Sequence, residues 1–73
     1  MKEKIYKFSK NFARNLKNER LANKMTQKEF AEKIGIKTQS YQAYENGLTM
    51  PTAENLLKIS IILNVGLDYL FDI

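Results

Sequence analysis

Seventy-three residues with 12 Lys or Arg, 8 Asp or Glu, no cysteine and no histidine carry a net charge of +4 and a pI near 9.4. A chain of this size holds one domain with a thin stability margin, and disulfides, cysteine or histidine metal centres, and catalysis built on either residue are excluded. No apolar run approaches the roughly 20 residues of a membrane span and no signal peptide opens the chain, so a single cytoplasmic domain over residues 1–73 is expected, stabilised by packed helices, oligomerisation or both.

Residues 1–7 are charged and expected to fray. A first helix is predicted from Lys7 or Ser9 to about Asn23. Ile5, Phe8, Phe12 and Leu16 form its apolar stripe, and Lys7, Lys10, Arg14 and Lys17 a basic stripe opposite, read either as a solvated face or as a phosphate-contacting one. Thr26 and Glu29 make a capping box for a second helix whose Phe30, Ala31 and Ile34 share one face; Gly35 ends it, where φ > 0 costs glycine nothing.

A third helix is predicted from Lys37 or Thr38 to Asn46, closed by Gly47. Tyr41 and Tyr44 lie on one side of it, with Ile36 just before; Gln39, Gln42, Ala43 and Asn46 share the other. This outer face carries no large apolar group and no acid. Its amides can donate and accept together on an adenine edge, and alanine leaves room for a thymine methyl.

Leu48–Pro51 reads as a loop, and Thr52 as the N-cap of a fourth helix running to about Asn64. Leu56, Ile59, Ser60 and Leu63 form its inner stripe. Leu57 and Ile61 fall outside that stripe and are read either as a widened core face or as a homodimer patch. Val65 and Gly66 break the chain before a short fifth helix, Leu67–Phe71, whose Leu67, Leu70 and Phe71 are expected to cap the core, while Tyr69 and Ile73 are available to a subunit contact. The elements sum to an all-α five-helix bundle with no repeat, linker or second domain. Residues 1–37 hold a balance of +7 and residues 38–73 one of −3, the footprint of a polyanion partner.

The stretch TQKEFA, the interhelical Gly35 followed by apolar Ile36, small Ala31, and the closing YENG together resemble the helix-turn-helix of the phage-repressor (Cro-type, XRE) family, and the pattern extends from about Phe8 to Phe71. The resemblance implies a bundle of that type, with helices 2 and 3 as the helix-turn-helix and helix 3 in the major groove of double-stranded DNA. By positional match Thr38, Gln39, Gln42 and Ala43 are the base-reading candidates, Gln39 first. Gln27, at the start of helix 2, is expected on a phosphate, with Lys28, Lys37, Ser40 and Asn46 as further backbone contacts and Lys33 in solvent. The family also implies a partly buried ion pair between Arg20 and Glu45, the favoured reading over two unrelated surface charges.

Two features depart from the family pattern. Lys37 stands where a small capping residue usually opens helix 3, which predicts a late start with Thr38 as cap and turned from the bases. The loop Leu48–Pro51 lacks basic residues, which shifts weight to a homodimer on half-sites about 10 bp apart, with Leu57, Ile61, Tyr69 and Ile73 as candidate dimer surface.

The leading expectation is a sequence-specific transcriptional regulator, repressor-like, occupying an operator. The alternative is a protein-interaction module such as the antitoxin of a toxin–antitoxin pair, with Leu57, Ile61, Tyr69, Phe71 and Ile73 against a toxin-like partner; co-purification with a small unrelated protein would favour it. No enzyme, cofactor or metal is expected: the neighbouring carboxylates Glu29 and Glu32 are explained by capping and solvation.

Overall fold

The described residues form five helices: α1 Lys2–Ala22, α2 Gln27–Ile34, α3 Thr38–Glu45, α4 Ala53–Leu63 and α5 Leu67–Phe71. The computed structural model describes the backbone of residues 2–73 and the side chains from Lys7 onward, so Ile5 of the expected apolar stripe lies outside the described side chains. α1 starts at Lys2, ahead of the predicted Lys7 or Ser9, because the segment KEKIYKFSK contains no proline or glycine to stop it and several good helix formers.

The helices stop in one way. Each ends on a residue with positive φ, and the two amides that follow the last turn bond back across it: Lys24 N to Leu21 O and Met25 N to Arg20 O after α1, Gly47 N to Tyr44 O and Leu48 N to Ala43 O after α3, and likewise around Gly35, Asn64 and Asp72. Gly35 (φ 89°) and Gly47 (φ 72°) are the two stops legible as glycines. α4 closes on Asn64, at φ 55°, its expected end; Val65 and Gly66 then separate it from α5, which Gly66 opens at an ordinary φ of −78°. Asparagine and aspartate tolerate this region; Lys24 adopts it in a turn closed by local bonds, among them Arg20 Nη1 to the Met25 carbonyl.

The starts are less uniform. Thr26 Oγ1 accepts from the Glu29 amide at 3.0 Å while Glu29 Oε1 accepts from the Thr26 amide at 2.9 Å, which closes the capping box and holds the Glu29 carboxyl below its usual range. Thr52 accepts from the Asn55 amide at 3.2 Å. The N-cap of α3 is Lys37, with no side-chain hydrogen bond, and Thr38 is the first helical residue. This corrects the expected late start: an uncapped first turn is tolerated because Tyr41 and Tyr44 pin the helix by packing. Lys37→Ser would supply the missing acceptor, and a rise of about 1 kcal/mol in urea-denaturation stability is expected.

Phe12, Leu16, Phe30, Ala31, Ile34, Tyr41, Tyr44, Ile59, Leu63 and Leu70 form the buried core. α1 packs on α3 and α5, and α2 packs on α3 and α4, with the fully buried methyl of Ala31 keeping α2 close to its neighbours. α5 meets α1 along its middle. Phe71 stacks on Phe12 at 5.1 Å, and Asn15 Nδ2 donates to the carbonyls of Tyr69 and Leu70 at 3.0 and 3.1 Å, which ties the end of α5 to α1.

Two expected core residues are therefore exposed: Phe8, at 38%, lies one turn or more beyond the point where α5 covers α1, and Leu67, at 43%, is the solvent-side first residue of α5. Ser60 spends its hydroxyl on the Val65 carbonyl, sealing the end of α4. Leu57 and Ile61 are 59% and 69% exposed, which removes the reading of a widened core stripe.

Candidate nucleic-acid interface

α3 is anchored by its inner face. Tyr41 and Tyr44 are buried, the Tyr41 ring meeting Phe30 edge-on at 5.1 Å, and the helix can rotate no further without expelling them. By the 3.6-residue period this leaves Gln39, Ser40, Gln42 and Asn46 exposed and Thr38 and Ala43 half-buried beside them. The amide-bearing side of the helix is thus open to solvent, as its sequence pattern requires.

Behind that face lies the strongest electrostatic feature of the molecule. Arg20 Nε donates to Glu45 Oε2 at 2.6 Å and Nη2 to Oε1 at 3.2 Å, with only 8% and 2% of the two side chains exposed. Arg20 Nη1 also donates to the Met25 carbonyl at 2.8 Å, so one guanidinium ties α1 to the turn before α2 and to the end of α3. The reading of two unrelated surface charges is excluded. Burial pushes the Glu45 carboxyl up, but the hydrogen bonds from Arg20 and Gln27 and the positive charge of Arg20 outweigh it and the net shift is downward; the bond to Glu45 raises Arg20. Burial holds the Tyr41 hydroxyl far above the ordinary phenol range; it sits beside this pair, yet finds no partner at good hydrogen-bonding geometry among the described residues.

Gln27 connects the pair to the open face. Its Nε2 donates to Glu45 Oε1 at 3.0 Å, and its Oε1 accepts from Gln42 Nε2 at 3.2 Å. The relay Arg20–Glu45–Gln27–Gln42 spans three helices and has no local sequence signal, because its hydrogen-bonded partners lie 15 to 25 positions apart. Of the other backbone-contact candidates, Lys28, Lys37, Ser40 and Asn46 are all exposed, as is Lys33.

The basic stripe of α1 is also on the surface. Arg14 stands 3.8 Å from Asp72, on the α5 side, with both side chains more than half exposed. Leu57 and Ile61 lie one turn apart on α4, and Tyr69 and Ile73 are 48% and 75% exposed; the Tyr69 hydroxyl leans on the Glu19 carboxylate of α1, which raises its pKa. Among the described residues no helix is long and apolar enough to cross a membrane.

Comparison with known proteins agrees with this geometry. A helix-turn-helix family model matches residues 16–70. The chain is 48% identical over 59 residues to the uncharacterised HTH-type transcriptional regulator YqaE of Bacillus subtilis, covering 81% of this chain and 51% of that protein. It is 46% identical over 55 residues to the cryptic phage CTXphi transcriptional repressor RstR of Vibrio cholerae, covering 75% and 49%. With the HTH-type transcriptional regulator ImmR of Bacillus subtilis it shares 42% identity over 55 residues, covering 75% and 43%. The chain spans about half the length of these relatives, and no solved structure matches it. With TQKEFA and YENG on two helices joined at Gly35, and a family match that covers both, the chain belongs to the phage-repressor (Cro-type, XRE) helix-turn-helix family.

Proposed function

We propose that this chain binds double-stranded DNA sequence-specifically as a repressor-like transcriptional regulator. The observation that carries the reading is the exposed, uncharged amide face of α3, held in place by a buried ion pair and two buried tyrosines. Naming of its relatives as transcriptional regulators and a repressor supports it. α3 enters the major groove, Thr38, Gln39, Gln42 and Ala43 face base edges, and Gln27, Lys28, Lys37, Ser40 and Asn46 line the phosphates. Since Thr38 is not spent as a cap, it stays available to the groove.

A second copy of the chain completes the complex, with Leu57 and Ile61 as the centre of the contact and Tyr69 and Ile73 at its edge. Half-sites then fall about 10 bp apart. The interaction-module reading rests on the same apolar residues and has no observation of its own.

Selection of bound duplexes from a random pool, with sizing of the complex, tests the proposal; an unselective, one-to-one complex would end it. In the selected duplex, Gln39→Ala is expected to lose about 1–3 kcal/mol of binding and to relax preference at one base pair. Lys28→Ala should instead weaken all duplexes alike and lower the slope of log K against log salt by about one.

A further inference from the structure

Asn46 is the only asparagine of the chain that precedes a glycine. It closes α3, is exposed, and its side-chain amide makes no hydrogen bond among the described residues. The amide carbon of an asparagine is open to attack by the backbone nitrogen of the next residue. Glycine there removes the Cβ that would crowd the attack, and nothing lies within 4 Å of where a Cβ on Gly47 would stand. The turn itself holds the reaction back. Asn46 has ψ −2°, which points the Gly47 nitrogen away from the Asn46 side chain, and that N–H donates to the Tyr44 carbonyl at 3.2 Å. The amides of Leu48 and Thr49, donating to the Ala43 carbonyl at 3.0 and 3.4 Å, close the same turn. Attack therefore needs a local opening at the end of α3, a smaller event than unfolding of the domain.

Building on the DNA-binding reading above, we propose that Asn46–Gly47 is a spontaneous deamidation site, gated by this turn, whose conversion weakens the hold on DNA. Once the turn opens, the Gly47 nitrogen bonds to Asn46 Cγ, the Cγ–Nδ2 bond breaks, and ammonia leaves with the amide proton. Water then opens the cyclic imide. Opening at Cγ leaves aspartate; opening at the main-chain carbonyl leaves isoaspartate, whose backbone runs through the former side chain. The step consumes water alone. Either product carries a carboxylate, ionised at neutral pH, where the reading above puts a neutral amide against the phosphates. Isoaspartate also adds one main-chain atom directly after Glu45, the buried anchor of α3.

In the experiment the parent chain, Asn46→Gln and Asn46→Asp are aged in mildly alkaline buffer, with and without unfolding urea. Conversion at each asparagine is followed by peptide mass mapping and isoaspartate labelling. Glutamine keeps an amide but must close a six-membered ring, which is slow. Asn46 is expected to convert ahead of every other asparagine, and at least about tenfold faster in urea than in the folded chain. Binding is then titrated on a duplex that the fresh parent selects from a random pool. Fresh Asn46→Asp and converted parent should bind roughly fivefold more weakly than fresh parent, as a like charge about 4 Å from a phosphate implies. Asn46→Gln should keep its own fresh affinity on ageing. The proposal is overturned if another asparagine converts first in the folded chain, if urea leaves the rate at Asn46 unchanged, or if the converted chain binds as tightly as the fresh one. In that last case the DNA-binding reading stands and Asn46 leaves the phosphate contacts. A fresh parent chain that selects no duplex ends that reading, and the effect on DNA proposed here with it.

Discussion

Arg20→Met or Glu45→Gln alone is expected to cost about 3–5 kcal/mol, because either change strands its partner in a site that excludes water. The pair is 8% and 2% exposed, and the Arg20 guanidinium has three acceptor contacts to lose. A domain of this size has a total stability of roughly 4–11 kcal/mol, so either variant should be marginal or unfolded in a urea titration at 25 °C. The double variant Arg20→Met/Glu45→Leu should recover most of the loss, since the desolvation of both charges goes with their attraction. A double variant as unstable as the singles would show that the hydrogen bonds to Met25 and Gln27, and not the unpaired charge, set the cost.

The same cluster fixes the pH range of the fold. The Glu45 carboxyl is depressed on folding, so its contribution is complete above the unfolded value, about 4.3, and disappears as pH falls through the lower folded value. Tyr41 is raised, so its contribution is complete below the unfolded value, about 10, and is lost as pH climbs above it. Thermal melts should therefore show a plateau between these limits and a fall on either side. In Tyr41→Phe the alkaline fall should shift or vanish while the acid one stays.

Leu70→Ala is the second large effect expected, at about 2–5 kcal/mol. Leu70 is fully buried in a helix of five residues, far shorter than a helix that is stable alone, so α5 depends on this side chain, on the Phe71–Phe12 stack and on Asn15. With Leu70 truncated, α5 should leave α1 altogether rather than settle over a cavity. Amide exchange would then lose protection from Leu70 to Ile73, and Phe12 would become exposed. Retained protection there, with a loss of stability near 2 kcal/mol, would mean that the core collapses around the smaller side chain.

Much of this molecule is legible in its sequence. The helix-turn-helix stands out because its signals are local: the Thr26–Glu29 box, the glycines at positive φ, and the periodicity that puts Tyr41 and Tyr44 opposite Gln39 and Gln42. Where a signal is not local the reading fails. Phe8 and Leu67 continue apolar stripes, yet both are exposed, because a stripe says which side faces inward and not how far the neighbouring helix reaches. Thr38 is a helical residue although it looks like a cap.

The amino-acid sequence by itself determined the five helices, the family and the open face of α3, since each follows from interactions within a few residues of chain. Only the tertiary structure decided that Arg20 and Glu45 are a desolvated pair, that Leu57 and Ile61 lie outside the core, and that Gln27 joins the buried carboxylate to Gln42. Those facts depend on side chains that meet across 15 to 25 positions of sequence, and hydrogen-bond direction at such a meeting is set by the least adaptable partner, here a carboxylate that can only accept.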